Sequence, residues 1–130
     1  MPLTPIGSPP LLVLVVDDDE TVRLVTCRML AMHGFATLAA PGGMEAVALF
    51  EQHRDSVAGV LLDLTMPRMD GEETFGRLRA VDPGVRVLLS SGYSEGDALA
   101  RLAGRGLAGF IQKPYSAEEL LSALRAAISR

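Results

Sequence analysis

Asp63 closes the apolar run Val60-Leu61-Leu62 and opens Asp63-Leu64-Thr65-Met66-Pro67-Arg68-Met69-Asp70-Gly71, so a carboxylate stands where a Pro- and Gly-containing loop begins. Three other apolar runs also end in polar groups: Leu11 to Val16 in Asp17-Asp18-Asp19, Val87-Leu88-Leu89 in Ser90-Ser91, and Leu107 to Gln112 in Lys113-Pro114. A carboxylate can attack phosphorus and carry a covalent acyl phosphate. A metal ion and an ammonium can neutralise the equatorial oxygens of the group in transfer. Asp17, Asp18 and Asp63 crowded together would each resist ionisation unless a cation were present. Carboxylate and carbonyl oxygens with several waters suit Mg2+, which often shares its sphere with a phosphate. Lys113 supplies the ammonium and Ser91 a hydroxyl. Taken singly, each group has a plainer reading as a helix cap, a loop cap, a turn serine or a solvated lysine. Their joint order, one at each of four strand ends, is what points to phosphoryl chemistry.

For these groups to meet, the four runs must be parallel strands ending on one edge of a sheet, where open α/β folds place their ligand sites. Short β-rich runs do alternate with segments of helical period, the signature of βα repeats around a parallel sheet. The pattern predicts strands near 11–16, 35–39, 57–62, 85–90 and 107–111, and helices near 20–33, 43–53, 71–80, 95–104 and 116–129. Gly34 reads as a left-handed helix terminator, Asp82-Pro83-Gly84 as a turn, and Ser116 with Glu119 as a capping box.

With 130 residues and 48% hydrophobic composition, the chain fits one domain able to bury a core without disulfides or a structural metal. Residues 1–10 are Pro-rich and read as a linker or disordered lead-in, leaving 11–130 as the domain. The lead-in has no basic residue and no long apolar core, so it lacks the anatomy of a signal peptide. The apolar run from Leu11 to Val16 is far short of the ~20 residues a membrane-spanning helix needs. A lone cysteine, Cys27, forms no internal disulfide, which fits a cytoplasmic setting. A net charge of −4 with dispersed Lys and Arg gives no basic stripe for nucleic acid. The final helix leaves no room for an output domain, so the module is expected to act through a partner.

The chain resembles the receiver domains of two-component response regulators. The resemblance is carried by Val15-Val16-Asp17-Asp18, by Asp63 with Met66-Pro67-Met69-Asp70-Gly71, by Ser91-Gly92, and by Phe110 with Lys113-Pro114. It covers about residues 11–129 and implies a flavodoxin-like (βα)5 fold, a doubly wound parallel sheet of order 2-1-3-4-5. It further implies that Asp63 is the phosphoacceptor and that Asp18, Asp63 and the backbone carbonyl of Thr65 bind Mg2+, with Asp17 helping through water. Lys113 would contact the phosphoryl group, and Lys113-Pro114 would be a cis peptide. Ser91 and Phe110 would be the switch pair: a hydroxyl that turns toward the phosphoryl group and a ring that moves with it. Thr65 and Tyr93 would flank the path of a hydrolytic water. Of the two adjacent acidic pairs, Asp17 and Asp18 follow the valines directly and put Arg23 where the family often carries a basic residue. Asp19 and Glu20 are then first-turn helix charge.

Neither His33 nor His53 stands in a histidine-kinase phosphorylation motif, and no Gly-rich nucleotide loop is present. A phosphohistidine donor is therefore required, from a sensor histidine kinase or a histidine phosphotransfer domain. The segments around Ser91 and Phe110 are similar to receivers at the C-terminus of hybrid histidine kinases. Two rivals compete with this reading. Asp17-Asp18-Asp19-Glu20-Thr21 matches the Asp-x-Asp-x-Thr motif of haloacid-dehalogenase-like phosphatases with Asp17 as nucleophile, but leaves the Asp63 segment without a role. A receiver-like docking module independent of phosphorylation would not need the full set of acceptor groups. Finally, if Val22, Val25 and Met29 face the sheet, then Leu24, Cys27 and Ala31 form an outward apolar stripe on the first helix.

Overall fold

The computed structural model describes residues 10–64, 70–92, 100 and 102–129. Its elements in chain order are β1 (Leu12–Val16), α1 (Glu20–Met32), β2 (Ala36–Ala40), α2 (Gly43–His53), β3 (Val57–Asp63), α3 (Gly71–Val81), β4 (Val87–Ser91), β5 (Gly109–Gln112) and α4 (Ala117–Ile128). The strands form one parallel sheet of order β2-β1-β3-β4-β5. Most of the helix expected near 95–104 lies outside the described residues, of which Ala100, Leu102 and Ala103 are helical.

The central strands are apolar at nearly every position because both faces of the sheet are covered, as parallel sheets require. Side chains that alternate across the strands divide between two cores. Leu14, Val16, Val60, Leu62, Val87 and Leu89 pack with Phe50 of α2 and with Phe75 and Leu78 of α3. Val13, Val15, Leu61 and Leu88 pack with Leu30 of α1 and with Leu120, Leu121 and Leu124 of α4. Removing Phe50 to alanine would empty a fully buried ring volume, at a cost of about 3–5 kcal/mol.

The helix ends follow the expected local chemistry. Gly34 has φ +90°, and its N–H caps Ala31 of α1. Asp19 caps the start of α1 by accepting from Val22 N–H at 3.1 Å, and Asp70 caps α3 by accepting from Glu73 N–H at 2.8 Å. Ser116 and Glu119 form the reciprocal capping box of α4. β4 and β5 each begin about two residues later than the apolar pattern suggests. Val85 is still in the Asp82 turn, where its N–H meets the Asp82 carbonyl at 3.0 Å, yet it is buried like a strand residue.

The phase of α1 differs from the expected one. Val25 is 62% exposed, whereas Thr26 is buried and Cys27 packs against the second core. Thr26 and Leu30 are buried and Met29 packs against the second core as expected, whereas Leu24, Val25 and Met32 face outward. A pattern of hydrophobicity prefers valine over threonine for burial. Here Thr26 lies close enough to the Tyr115 phenol to oppose the rise of its pKa on burial, so the buried residue has a polar neighbour.

Candidate functional site

The order of the sheet reverses direction about β1 and β3, and a ligand crevice is expected where strands on either side of such a point end. Strand register brings the chemistry together there. Val16 lies opposite Leu62, so the next residues, Asp17 and Asp63, leave neighbouring strands at the same level. Asp63 is paired with Ser90 and Ser91 with Gln112, so Lys113 follows one step beyond. One carboxylate oxygen from each of Asp17, Asp18 and Asp63 lies within 4.8 Å of the other two. Asp17 and Asp63 are buried and Asp18 is exposed.

Lys113 reaches across from the end of β5 and bridges two of the acids, with Nζ 3.3 Å from Asp17 Oδ2 and 3.4 Å from Asp63 Oδ1. Partial burial pulls its pKa down, but the pull of Asp63 and Asp17 outweighs burial, and the net result is a value above the usual 10.5. Three carboxylates facing one ammonium leave a formal excess of two negative charges. Hard oxygen donors with that excess charge are the donor set a small divalent cation favours. The Lys113-Pro114 peptide is cis. Tyr115 follows it, and burial raises the pKa of its phenol, against the opposing influence of nearby Thr26 and the Lys113 charge.

Asp17 is held at each of its polar atoms. Its N–H donates to the Ala40 carbonyl at 3.2 Å, and its Oδ1 accepts from Asp19 N–H at 2.9 Å. Its Oδ2 takes the Lys113 ammonium, and its carbonyl accepts from Arg23 Nη1 at 2.8 Å. The same strand edge also carries Ser91, which is 1% exposed, and its Oγ has no hydrogen-bond partner among the described residues. Buried hydroxyls are rarely left unpaired, and such an atom marks a place where a ligand can be bound. Phe110, three residues before Lys113, is 51% exposed, so its ring stands outside the core.

Thus Asp17, Asp18, Asp63 and Lys113 come together, and Ser91 leaves the sheet at the same edge. Thr65 and Tyr93, and residues 66–69 of the acceptor loop, lie outside the described residues. Sequence reasoning missed the anchor that comes from α1, Arg23 on the Asp17 carbonyl. For Arg23 a signal existed: a basic residue six positions after Asp17 can fold back over the first turn of a helix that starts at Asp19.

A sequence profile of the response regulator receiver domain matches residues 13–125. The chain belongs to that family. The receiver domain is 32% identical over 115 residues to the chemotaxis protein CheY of Listeria monocytogenes, covering 88% of this chain and 95% of that protein. It is 35% identical over 114 residues to the sensor kinase CckA of Brucella abortus, covering 87% of this chain and 12% of the kinase. The response regulator MprA of a Mycobacterium species is 35% identical over 123 residues, which cover 93% of this chain and 52% of MprA. The chain therefore spans about half of the length of MprA and a small part of CckA. Among solved structures, a chain in the CheX–CheY–BeF3–Mg2+ complex from Borrelia burgdorferi superposes with a TM-score of 0.85 at 29% identity, covering 94% of this chain and 92% of that one. Receiver domains are phosphoacceptor signalling modules rather than classical enzymes, and they interact with histidine kinases or phosphotransfer domains. Nothing in the comparisons favours the phosphatase or the phosphorylation-independent reading. Among the described residues no helix is long and apolar enough to cross a membrane.

Proposed function

We propose that this receiver domain takes a phosphoryl group from a phosphohistidine donor onto Asp63 and changes conformation to regulate a partner. The observation that carries the reading is the buried Asp63 carboxylate at the end of β3, faced by the Lys113 ammonium and grouped with Asp17 and Asp18. In the transfer, an Asp63 oxygen bonds to phosphorus as the bond between phosphorus and the donor imidazole nitrogen breaks. Lys113 neutralises charge on the incoming group, and the unpaired Ser91 hydroxyl donates to one of its oxygens. Asp18, Asp63, the Thr65 carbonyl and, through water, Asp17 would hold Mg2+, which would supply further positive charge to the phosphoryl oxygens. The similar Borrelia chain was crystallised in a complex containing BeF3 and Mg2+, which supports this assignment.

Conformational change rests on Ser91 and Phe110. A phenylalanine has no hydroxyl to anchor an inward state, so the ring's position depends on packing alone. Thr65 and Tyr93 are assigned to tuning the lifetime of the phosphoryl group: Thr65 has no amide or carboxylate to orient a water, and the family resemblance would put the Tyr93 ring beside the path of that water. The domain at 11–130, with residues 1–10 as a linker or lead-in to it, operates in the cytoplasm. The resemblance to part of CckA supports membership of a hybrid histidine kinase. The test is acyl phosphorylation by a small acyl-phosphate donor with Mg2+, read by intact mass. The parent chain gains one phosphoryl group and Asp63→Ala gains none; unchanged labelling of Asp63→Ala would remove the assignment.

A further inference from the structure

Among the described residues, the Asp18 carboxylate makes no hydrogen bond or ion pair of its own, although it is one of the three acids of the cluster. Its direction is therefore set by the backbone that carries it. The peptide linking Asp17 to Asp18 is pinned through its carbonyl oxygen, which accepts from Arg23 Nη1 at 2.8 Å. Arg23 sits in the first turns of α1, and the start of that helix is itself locked by Asp19, whose N–H donates to Asp17 Oδ1 and whose side chain caps Val22. The strand end, the turn and the helix start thus form a closed loop of hydrogen bonds around the Asp17-Asp18 peptide.

We infer that Arg23 is a positioning residue for the metal site, holding the Asp17-Asp18 peptide so that the Asp18 carboxylate points at the cation. This rests on the proposed Mg2+-assisted function and adds a residue to it. The proposal runs against simple electrostatics. A guanidinium beside a cation site repels the cation, so removing its charge alone would tighten Mg2+ binding. Removing an anchor would loosen it, and loss of a supporting partner behind a ligand typically weakens metal affinity about 10–100-fold. The two roles predict changes of opposite sign.

The experiment is a Mg2+ titration of the intact chain followed by backbone amide chemical shifts, which report weak binding without requiring phosphorylation. Four proteins are compared: parent, Arg23→Met, Asp18→Ala and the double variant, with Met keeping the unbranched stem of Arg23. Arg23→Met is expected to bind Mg2+ about tenfold more weakly than the parent. In the Asp18→Ala background the same substitution is expected to change affinity less than about twofold, because residues acting through one another are not additive. Equal or tighter binding by Arg23→Met, or the same loss in both backgrounds, would overturn the role. A parent chain that binds no Mg2+ would instead remove the metal-assisted function on which the inference rests.

Discussion

Gly71 and Gly76 lie in the same helix, and alanine at the two positions is expected to act in opposite directions. A β carbon at 71 would stand 2.5 Å from Leu64 Cα, 2.7 Å from the Asp63 carbonyl oxygen and 2.8 Å from the Leu64 carbonyl oxygen. All three are backbone atoms of the segment that carries the acceptor, and the Gly71 N–H already holds the Leu64 carbonyl at 2.8 Å. Non-bonded carbons rest at about 3.5–4.0 Å, so roughly 1 Å of relative movement between the start of α3 and the Asp63-Leu64 backbone is needed. Overpacking of this kind costs about 1–3 kcal/mol. A shift of about 1 Å at a reacting group can cost on the order of 100-fold in rate. At Gly76 the nearest atom is Arg105 Nη2 at 3.1 Å, the free end of a long side chain that can move aside. Alanine there recovers up to about 1 kcal/mol of helix propensity. Urea unfolding should therefore show Gly71→Ala destabilised and Gly76→Ala unchanged or stabilised. The initial rate of phosphorylation by a small acyl phosphate should fall steeply only for Gly71→Ala. A Gly71→Ala chain as stable and as readily phosphorylated as the parent would show that the start of α3 tolerates a β carbon against the Asp63-Leu64 backbone.

Two further outcomes concern Lys113 and the phosphoryl lifetime. The pKa of Lys113 is raised on folding, so the stability it contributes is complete below the unfolded value of 10.5 and is lost as pH rises through the higher folded value. The difference in urea stability between the parent and Lys113→Met should stay level up to that pH and shrink only above it; a decline beginning near neutral pH would contradict the ion-pair geometry. Thr65→Asn combined with Tyr93→Glu should accelerate loss of the phosphoryl group by on the order of tenfold, equivalent to ~1.4 kcal/mol in the barrier. Equal decay rates after removal of the donor would show that the Tyr93 ring does not obstruct the water.

Much of this site was legible in the sequence because parallel strands are apolar throughout, so the first polar residue after each run marks the sheet edge. Val16 followed by Asp17, and Leu62 followed by Asp63, needed no tertiary information beyond the assumption that the strands are parallel. The phase of α1 was not legible, since the polar neighbour of the buried Thr26, Tyr115, comes from the other end of the chain. The same holds for Lys113, whose bond to Asp17 joins residues 96 positions apart. A family resemblance suggests that Lys113 touches the phosphoryl group, but not that it already bridges Asp17 and Asp63. The start of β4 was misjudged because Val85 is buried by the turn that precedes the strand.

The covalent group is expected to form on Asp63 and not on another carboxylate of the cluster. Borohydride reduction of the chain after treatment with a small acyl phosphate and Mg2+ converts an aspartyl phosphate to homoserine, which peptide sequencing by mass spectrometry then locates. Homoserine is expected at position 63 alone. Homoserine at position 17 would instead support the phosphatase-like use of Asp17, and its absence from every position would contradict phosphoacceptance altogether.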